Sequence, residues 1–240
     1  MKSGLPCQDY LACTELETAL GNVLAAVVSD GAGTASHAET GARLVCSTFL
    51  RCAKAYLADE RAVEDLDNDT LMNWLDAIRD RVSAFAEGAG VTPRACAATL
   101  VGVLAGPRSA VVIHVGDGAA VVREEGSEEW VVPSWPFHGE YASSTSFVTD
   151  EPWPQVQVER LAARLDRIAI FTDGIERLVL DHAARIAHRP FFDRFTAPVA
   201  TSAAEGHDRS LTRALRSYLD SPAVCDRTDD DKSLILGARR

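Results

Sequence analysis

Apolar and polar positions along this chain repeat with two different periods, and the changes of period mark its elements. Residues 22–29 run through Val, Leu and Ala into a turn signal, which predicts a buried strand. From His37 to Leu57 the apolar positions Ala42, Val45, Phe49, Ala53 and Tyr56 keep helical spacing. Leu71, Trp74, Leu75, Ile78, Val82, Phe85 and Ala86 keep it more clearly and predict a second amphipathic helix over about residues 69–87, closed by the Gly- and Pro-containing segment that follows. Then come four short Val-rich stretches, "AATLVGVLAG", "SAVVIHVGDG", "AAVVREE" and "EEWVVPS", separated by turn residues as the hairpins of an antiparallel sheet are. Residues 134–154, rich in Pro, Ser and aromatic side chains, predict a long irregular loop, and such loops are often functional. A strand over 165–172, a helical segment and a weakly patterned region to Gly206 follow. Leu211, Ala214, Leu215, Tyr218 and Leu219 mark a last helix, and "KSLILGA" a final strand. Strands and long helices interleave without regular βαβ alternation, which favours the α+β class over a doubly wound parallel sheet.

Length and charge narrow the partners. A chain of 240 residues is expected to form one domain spanning 1–240, large enough for a substantial core. Its formal net charge is −11, and no basic run or Lys/Arg-rich helix stands out. Such a surface repels phosphate backbones, so neither nucleic acid nor an anionic membrane is an expected partner. A phosphate ligand would need a cation that the side chains do not supply. Cys7, Cys13, Cys46, Cys52, Cys96 and Cys225 are scattered without a Cys-x-x-Cys pair, which reads as reduced thiols rather than a zinc site. With no leader-like or membrane-length apolar run, the expected location is the cytoplasm.

Three of the apolar strands end in an Asp-Gly step: "AAVVSDGAG" at Asp30, "VVIHVGDGA" at Asp117 and "IAIFTDGIE" at Asp173. Singly, Asp-Gly is a common turn former. Repetition at strand ends, with Asp9 ahead of a predicted strand and Asp229, Asp230 and Asp231 ahead of the last one, suggests carboxylates converging on one spot. Without a counter-charge they would repel one another and hold protons. Mg²⁺ or Mn²⁺, which prefer oxygen donors, would resolve that conflict. A glycine behind the aspartate lets a backbone carbonyl approach as a further oxygen ligand. Two ions close together would activate a water and clamp a phosphoryl group. The stretch "DGAGTAS" lacks the third glycine of G-x-G-x-x-G and any following Gly-Lys-Ser/Thr, so it is not read as a nucleotide loop.

At these residues the chain resembles the metal-dependent serine/threonine phosphatases of the protein phosphatase 2C type, in particular short bacterial members. Five blocks in order carry the resemblance: "GLPCQD", "VVSDGAG", "ATLVGVL…IHVGDGAAVV", "IAIFTDGIERL" and "DDKSLIL". It implies a four-layer α-β-β-α sandwich, two antiparallel sheets flanked by helices, with a binuclear Mg²⁺/Mn²⁺ centre at one end. Asp30 would bridge the two ions, the Gly31 carbonyl would ligate one, and Asp173 and Asp230 would complete the second. Asp9, with Gln8 beside it, matches an acidic pair acting partly through water, and Asp117 an aspartate that helps hold a third, weaker ion. The loop at 134–154 falls where bacterial relatives carry a substrate-access flap. Family members hydrolyse phosphoserine and phosphothreonine by direct attack of metal-activated water, opposing a Ser/Thr kinase, which makes Asp30, Asp173 and Asp230 the expected catalytic residues.

Four positions depart from the family pattern. The usual upstream Arg or His is missing, with Lys2 the only nearby cation. Gln8 replaces a more usual glutamate. Ala32 stands where some relatives carry a histidine proposed as general acid. The last motif reads Asp-Asp-Lys-Ser rather than Asp-Asn-x-Thr/Ser, and Asp230 is taken as the ligand because Ser233 then falls in register, with Asp229 the fallback. The departures leave an alternative: a catalytically slow pseudophosphatase that keeps the fold as a binding or regulatory module.

Overall fold

The computed structural model describes residues 7–136 and 145–239. A sheet of five strands has the order β1 (Tyr10–Leu16), β2 (Val23–Ser29), β3 (Leu100–Ala105), β4 (Ala110–Val115) and β7 (Gln157–Leu161). A second sheet of four has the order β11 (Leu234–Ala238), β8 (Leu165–Phe171), β5 (Ala119–Glu124) and β6 (Trp130–Val131). Every pairing in both is antiparallel.

Side-chain alternation along the strands builds the layers. In β2, Ala26 and Val28 point to one side and Ala25 and Val27 to the other, as a period of two requires. Ala26 and Val28 join Val101, Val103, Ile168 and Ile170 between the two sheets. Ala25 and Val27 instead meet Val45 and Phe49 of α1 (Ala38–Ala58) and the cluster around Trp74 and Leu75 of α2 (Asn68–Ala89). In β8, Ala169 and Phe171 face outward onto Phe192 of α4 (Arg189–Thr201) and Leu219 of α5 (Arg209–Leu219). Helices, sheet, sheet and helices are therefore stacked as the sequence led us to expect. α2 begins where Asp67 accepts the backbone N–H of Thr70 and ends at Gly90 in the left-handed region, so both of its ends are satisfied locally.

Three expectations need correcting. The helical segment expected after Asp173 is α3 (Asp173–Val179), but the weakly patterned stretch beyond it to Gly206 holds a small hairpin of β9 (Leu180–Asp181) and β10 (Ile186–Ala187), and α4. Pro198 lies inside α4 and only Phe192 and Thr196 of it are buried, so the apolar stripe is too sparse to show a helical period. β7 was hidden because "QVERL" is polar at three of its five positions and sits at the sheet edge. Finally, α5 is a basic helix after all, with Arg209, Arg213 and Arg216 and no acidic residue. A short α6 (Pro222–Cys225) leads to β11. Among the described residues, no helix is long and apolar enough to cross a membrane. All six cysteines are unpaired.

Candidate metal centre

Antiparallel register decides where the carboxylates go. Tyr10 pairs with Ser29, Val28 with Val101, and Leu100 with Val115, so the start of β1, the end of β2, the start of β3 and the end of β4 share one end of their sheet. Ala119 and Leu234 both pair with Phe171, so β5 and β11 start where β8 ends. Asp9 precedes β1, Asp30 follows β2, Asp117 lies between β4 and β5, Asp173 follows β8, and Asp230 precedes β11. The two ends are joined directly: the Thr172 hydroxyl, at the end of β8, donates to Asp9 Oδ2 at 2.7 Å.

Carboxylate oxygens of Asp30, Asp117 and Asp173 lie within 4.8 Å of one another. Each is held by its strand. The Asp30 N–H donates to Thr99 Oγ1 at 2.9 Å, and the Thr99 N–H donates back to the Asp30 carbonyl at 2.8 Å. Gly31 forms a bridge with Ala98, and a Cβ there would stand 2.6 Å from the Ala38 backbone, so only glycine lets α1 start this close. The Thr145 hydroxyl, from the foot of the loop, donates to Asp117 Oδ2. Asp173 opens α3, and a Cβ on Gly174 would come within 1.7 Å of the Asp231 carbonyl. The glycines behind these two aspartates thus answer to neighbouring backbone.

Asp9 is buried at 7% exposure and joins the group from below. Asp230 differs. It is exposed and stands outside the three-carboxylate cluster, yet its charge is among those that raise the Asp173 carboxyl. The neighbouring Asp231 instead takes the backbone N–H of Gln8 at 2.7 Å. Sequence reasoning gave Asp231 no role, and its only signal was a third aspartate in the run. Glu176 was also missed. Buried one turn after Asp173, it is pushed up to about 8 by burial and by the charges of Asp117 and Asp173, and it pairs with His182 at 2.5 Å. The Asp173–Glu176 spacing on one helix face was the available clue.

The electrostatics are those of a site short of positive charge. Burial first, then Asp117, Asp230 and Asp9, push Asp173 up to about 7. Burial and the neighbouring Asp9 push Asp30 far above the usual carboxylate range, and burial raises Asp9 as well. Among the described residues, Asp173 Oδ1 is buried with no hydrogen-bond partner, and the Asp9 and Asp30 carboxyl groups are close enough to share a hydrogen bond that only a proton can supply. Buried acceptors without donors are costly and point to a missing partner. An all-oxygen donor set of this kind fits Mg²⁺ or Mn²⁺ rather than a softer ion.

Other expected features fall around this centre. Ala32 is buried, its N–H donating to Ala97 O at 2.9 Å, and offers no acid group. His114 is buried against Ser134 at 2.9 Å and lowered to about 4 by burial, so it is neutral and packed. Lys2 and residues 137–144 of the 134–154 loop lie outside the described residues. The second foot of that loop is clamped by Arg79 of α2, which donates to the carbonyls of Val148 and Asp150 at 2.6 and 2.9 Å and packs over Trp153.

The two-sheet sandwich superposes on solved structures of bacterial serine phosphatases. One such crystal structure superposes with a TM-score of 0.62 over 98% of this chain and 93% of that one, at 18% identity. The serine/threonine phosphatase Stp1 from Staphylococcus aureus gives 0.60 over 98% and 90%, also at 18% identity. Serine/threonine-protein phosphatase 3 of Escherichia coli (strain K12) is 36% identical over 243 residues, covering 98% of this chain and 92% of that protein. A family model described as protein phosphatase 2C matches residues 1–219. The chain belongs to the protein phosphatase 2C family and is a protein phosphatase.

Proposed function

We propose that the chain removes phosphate from phosphoserine and phosphothreonine in proteins by direct attack of water, using two Mg²⁺ or Mn²⁺ ions. Asp30 and the Gly31 carbonyl would hold them at the hub, Asp173 and Asp230 would complete the second ion's set, Asp9 would act through water, and Asp117 would serve a third, weaker ion. The observation that carries this reading is the meeting of the Asp30, Asp117 and Asp173 oxygens within 4.8 Å. Ions held there supply Lewis acidity, lowering the pKa of water and neutralising phosphoryl charge.

The chain's own groups favour water over a protein nucleophile. Cys7 lies two residues before Asp9, and burial raises its thiol to about 11, so it stays protonated at neutral pH. With Ala32 in place of an acid group, the leaving alkoxide would take its proton from solvent. Thr172 and Thr99 keep Asp9 and Asp30 aimed into the site. The alternative of a slow binding module gains no support here, because a chain with no ion to hold gains nothing from buried carboxylates that raise one another's pKa. This reading also makes the chain one cytoplasmic phosphatase domain opposing a Ser/Thr kinase, with neither nucleic acid nor membrane as partner.

Hydrolysis of a phosphothreonine peptide, with Mn²⁺, Mg²⁺ or EDTA and with wild type against Asp30→Ala, tests it. Turnover should require metal and fall at least about 100-fold in Asp30→Ala, the scale expected when a principal electrostatic element of a site is lost. Turnover that persists in EDTA, or survives Asp30→Ala, overturns it.

A further inference from the structure

We propose that the arginine face of α5 is a docking surface for an acidic segment of the phosphoprotein substrate. The inference rests on the protein-phosphatase reading and extends it to a second contact away from the site.

Arg209, Arg213 and Arg216 are exposed at spacings of four and three, so they share one face of the helix. Among the described residues none of the three pairs with a carboxylate; Arg213 Nε donates only to the Arg209 carbonyl at 3.3 Å. Some arginines elsewhere, Arg79, Arg108, Arg123, Arg164 and Arg189, pair with acidic side chains, and the three on this face do not. The arrangement on α5 works against the helix itself. Like charges three and four apart repel. Arg209 sits in the first turn, where the helix dipole disfavours a cation. A surface selected only for solubility would mix signs along such a face.

Charge complementarity identifies the occupant. Residues 177–216 hold seven arginines against four carboxylates, in a chain of net charge −11. A phosphorylated, acidic protein is repelled by most of this molecule and attracted by this face. Guanidinium groups also match carboxylates bidentately. The face is less suited to a lipid surface, because the apolar side of α5 is already used. Leu219 is buried, Leu215 packs on the outer core cluster, and the Tyr218 ring lies 4.6 Å from Phe195 of α4, so the partly exposed Tyr218 is the one large apolar side chain the helix leaves open to insert.

The test uses the full chain with Arg209, Arg213 and Arg216 all changed to Gln, and a second variant with all three changed to Glu. The probe is a fluorescent, unphosphorylated Glu/Ser peptide followed by anisotropy, with p-nitrophenyl phosphate turnover in Mn²⁺ measured alongside. Wild type should bind the peptide with an affinity that falls about tenfold between about 50 and 300 mM salt, since exposed charge pairs are screened. The Gln variant should bind about tenfold more weakly and the Glu variant not measurably, while p-nitrophenyl phosphate turnover stays within about twofold, as expected for independent sites. For phosphothreonine peptides, the wild-type preference for an acidic over a neutral flank in kcat/KM should disappear in both variants. Peptide binding unchanged in the Gln variant, or absent in wild type, overturns the proposal. So does wild-type binding to phosphatidylserine vesicles without peptide binding, which would assign the face to a membrane. Because the probe carries no phosphate, failure of docking is read separately from failure of turnover.

Discussion

Asp30 shows what single residues contribute here. Its backbone is fixed on both sides by Thr99, while its side chain is crowded by Asp9, Asp117 and Asp173. Folding alone gains nothing from that crowding. The folded chain keeps protons on these groups to higher pH than the unfolded chain does: Asp173 moves from 3.8 to about 7, and Asp30 moves in the same direction. Between those pH values the native state binds more protons, so this cluster's contribution to stability falls as pH rises. Asp30→Asn should therefore melt about 2–4 °C above wild type in EDTA at neutral pH, taking about 1 kcal/mol as the relief. The gap should close as pH falls toward 4, and Mn²⁺ should invert the order. Thermal melts across pH check this, and a variant less stable than wild type in EDTA at pH 7 contradicts it. Gly174→Ala tests the packing instead. Its Cβ would be driven into the Asp231 carbonyl, so about 3 kcal/mol or more of stability should be lost in chemical denaturation. A loss below about 1 kcal/mol would mean the Asp231 segment yields freely.

At the scale of elements, what was legible in the sequence is what repeats. Trp74, Leu75, Ile78 and Val82 give α2 an unbroken stripe, and the Val-rich runs of β3, β4 and β5 have turns at each end, so local pattern and tertiary placement agree. α4 and β7 lack such repeats because one has little buried area and the other lies at an edge. Among site residues, Asp30, Asp117 and Asp173 were visible because each ends an apolar run. Glu176 lies inside a helix and Asp231 inside an acidic run, and their roles follow from folding partners far away in sequence, Asp117 and Gln8 respectively. The loop foot at 145–154 was legible only as irregular, since its order comes from Arg79 on a distant helix. Arg79→Ala should remove charge-assisted bonds worth about 1.5–3 kcal/mol locally. Amide exchange around Val148 and Asp150 should quicken while exchange in β2 and β3 stays as in wild type. Unchanged exchange around Val148 would show that Arg79 does not clamp the loop.

For the molecule as a whole, one topological fact organises the account. Two antiparallel sheets present the ends of seven strands on the same side, and the Thr172–Asp9 bond ties one sheet's end to the other's. The acidic residues at those ends add to a chain already at −11, so the site is the region where a cation stabilises most. Binding of ions should then stabilise the entire fold by linkage. At Mn²⁺ about 100 times its dissociation constant, the gain should be about 2.7 kcal/mol per ion. The most direct test is a calorimetric titration of Mn²⁺ into the metal-free chain, wild type against Asp30→Asn. The account predicts two ions per chain with release of protons on binding, and loss of both in Asp30→Asn. An identical isotherm in Asp30→Asn, or no binding to wild type, would contradict the claim that these strand ends form the metal centre of the phosphatase.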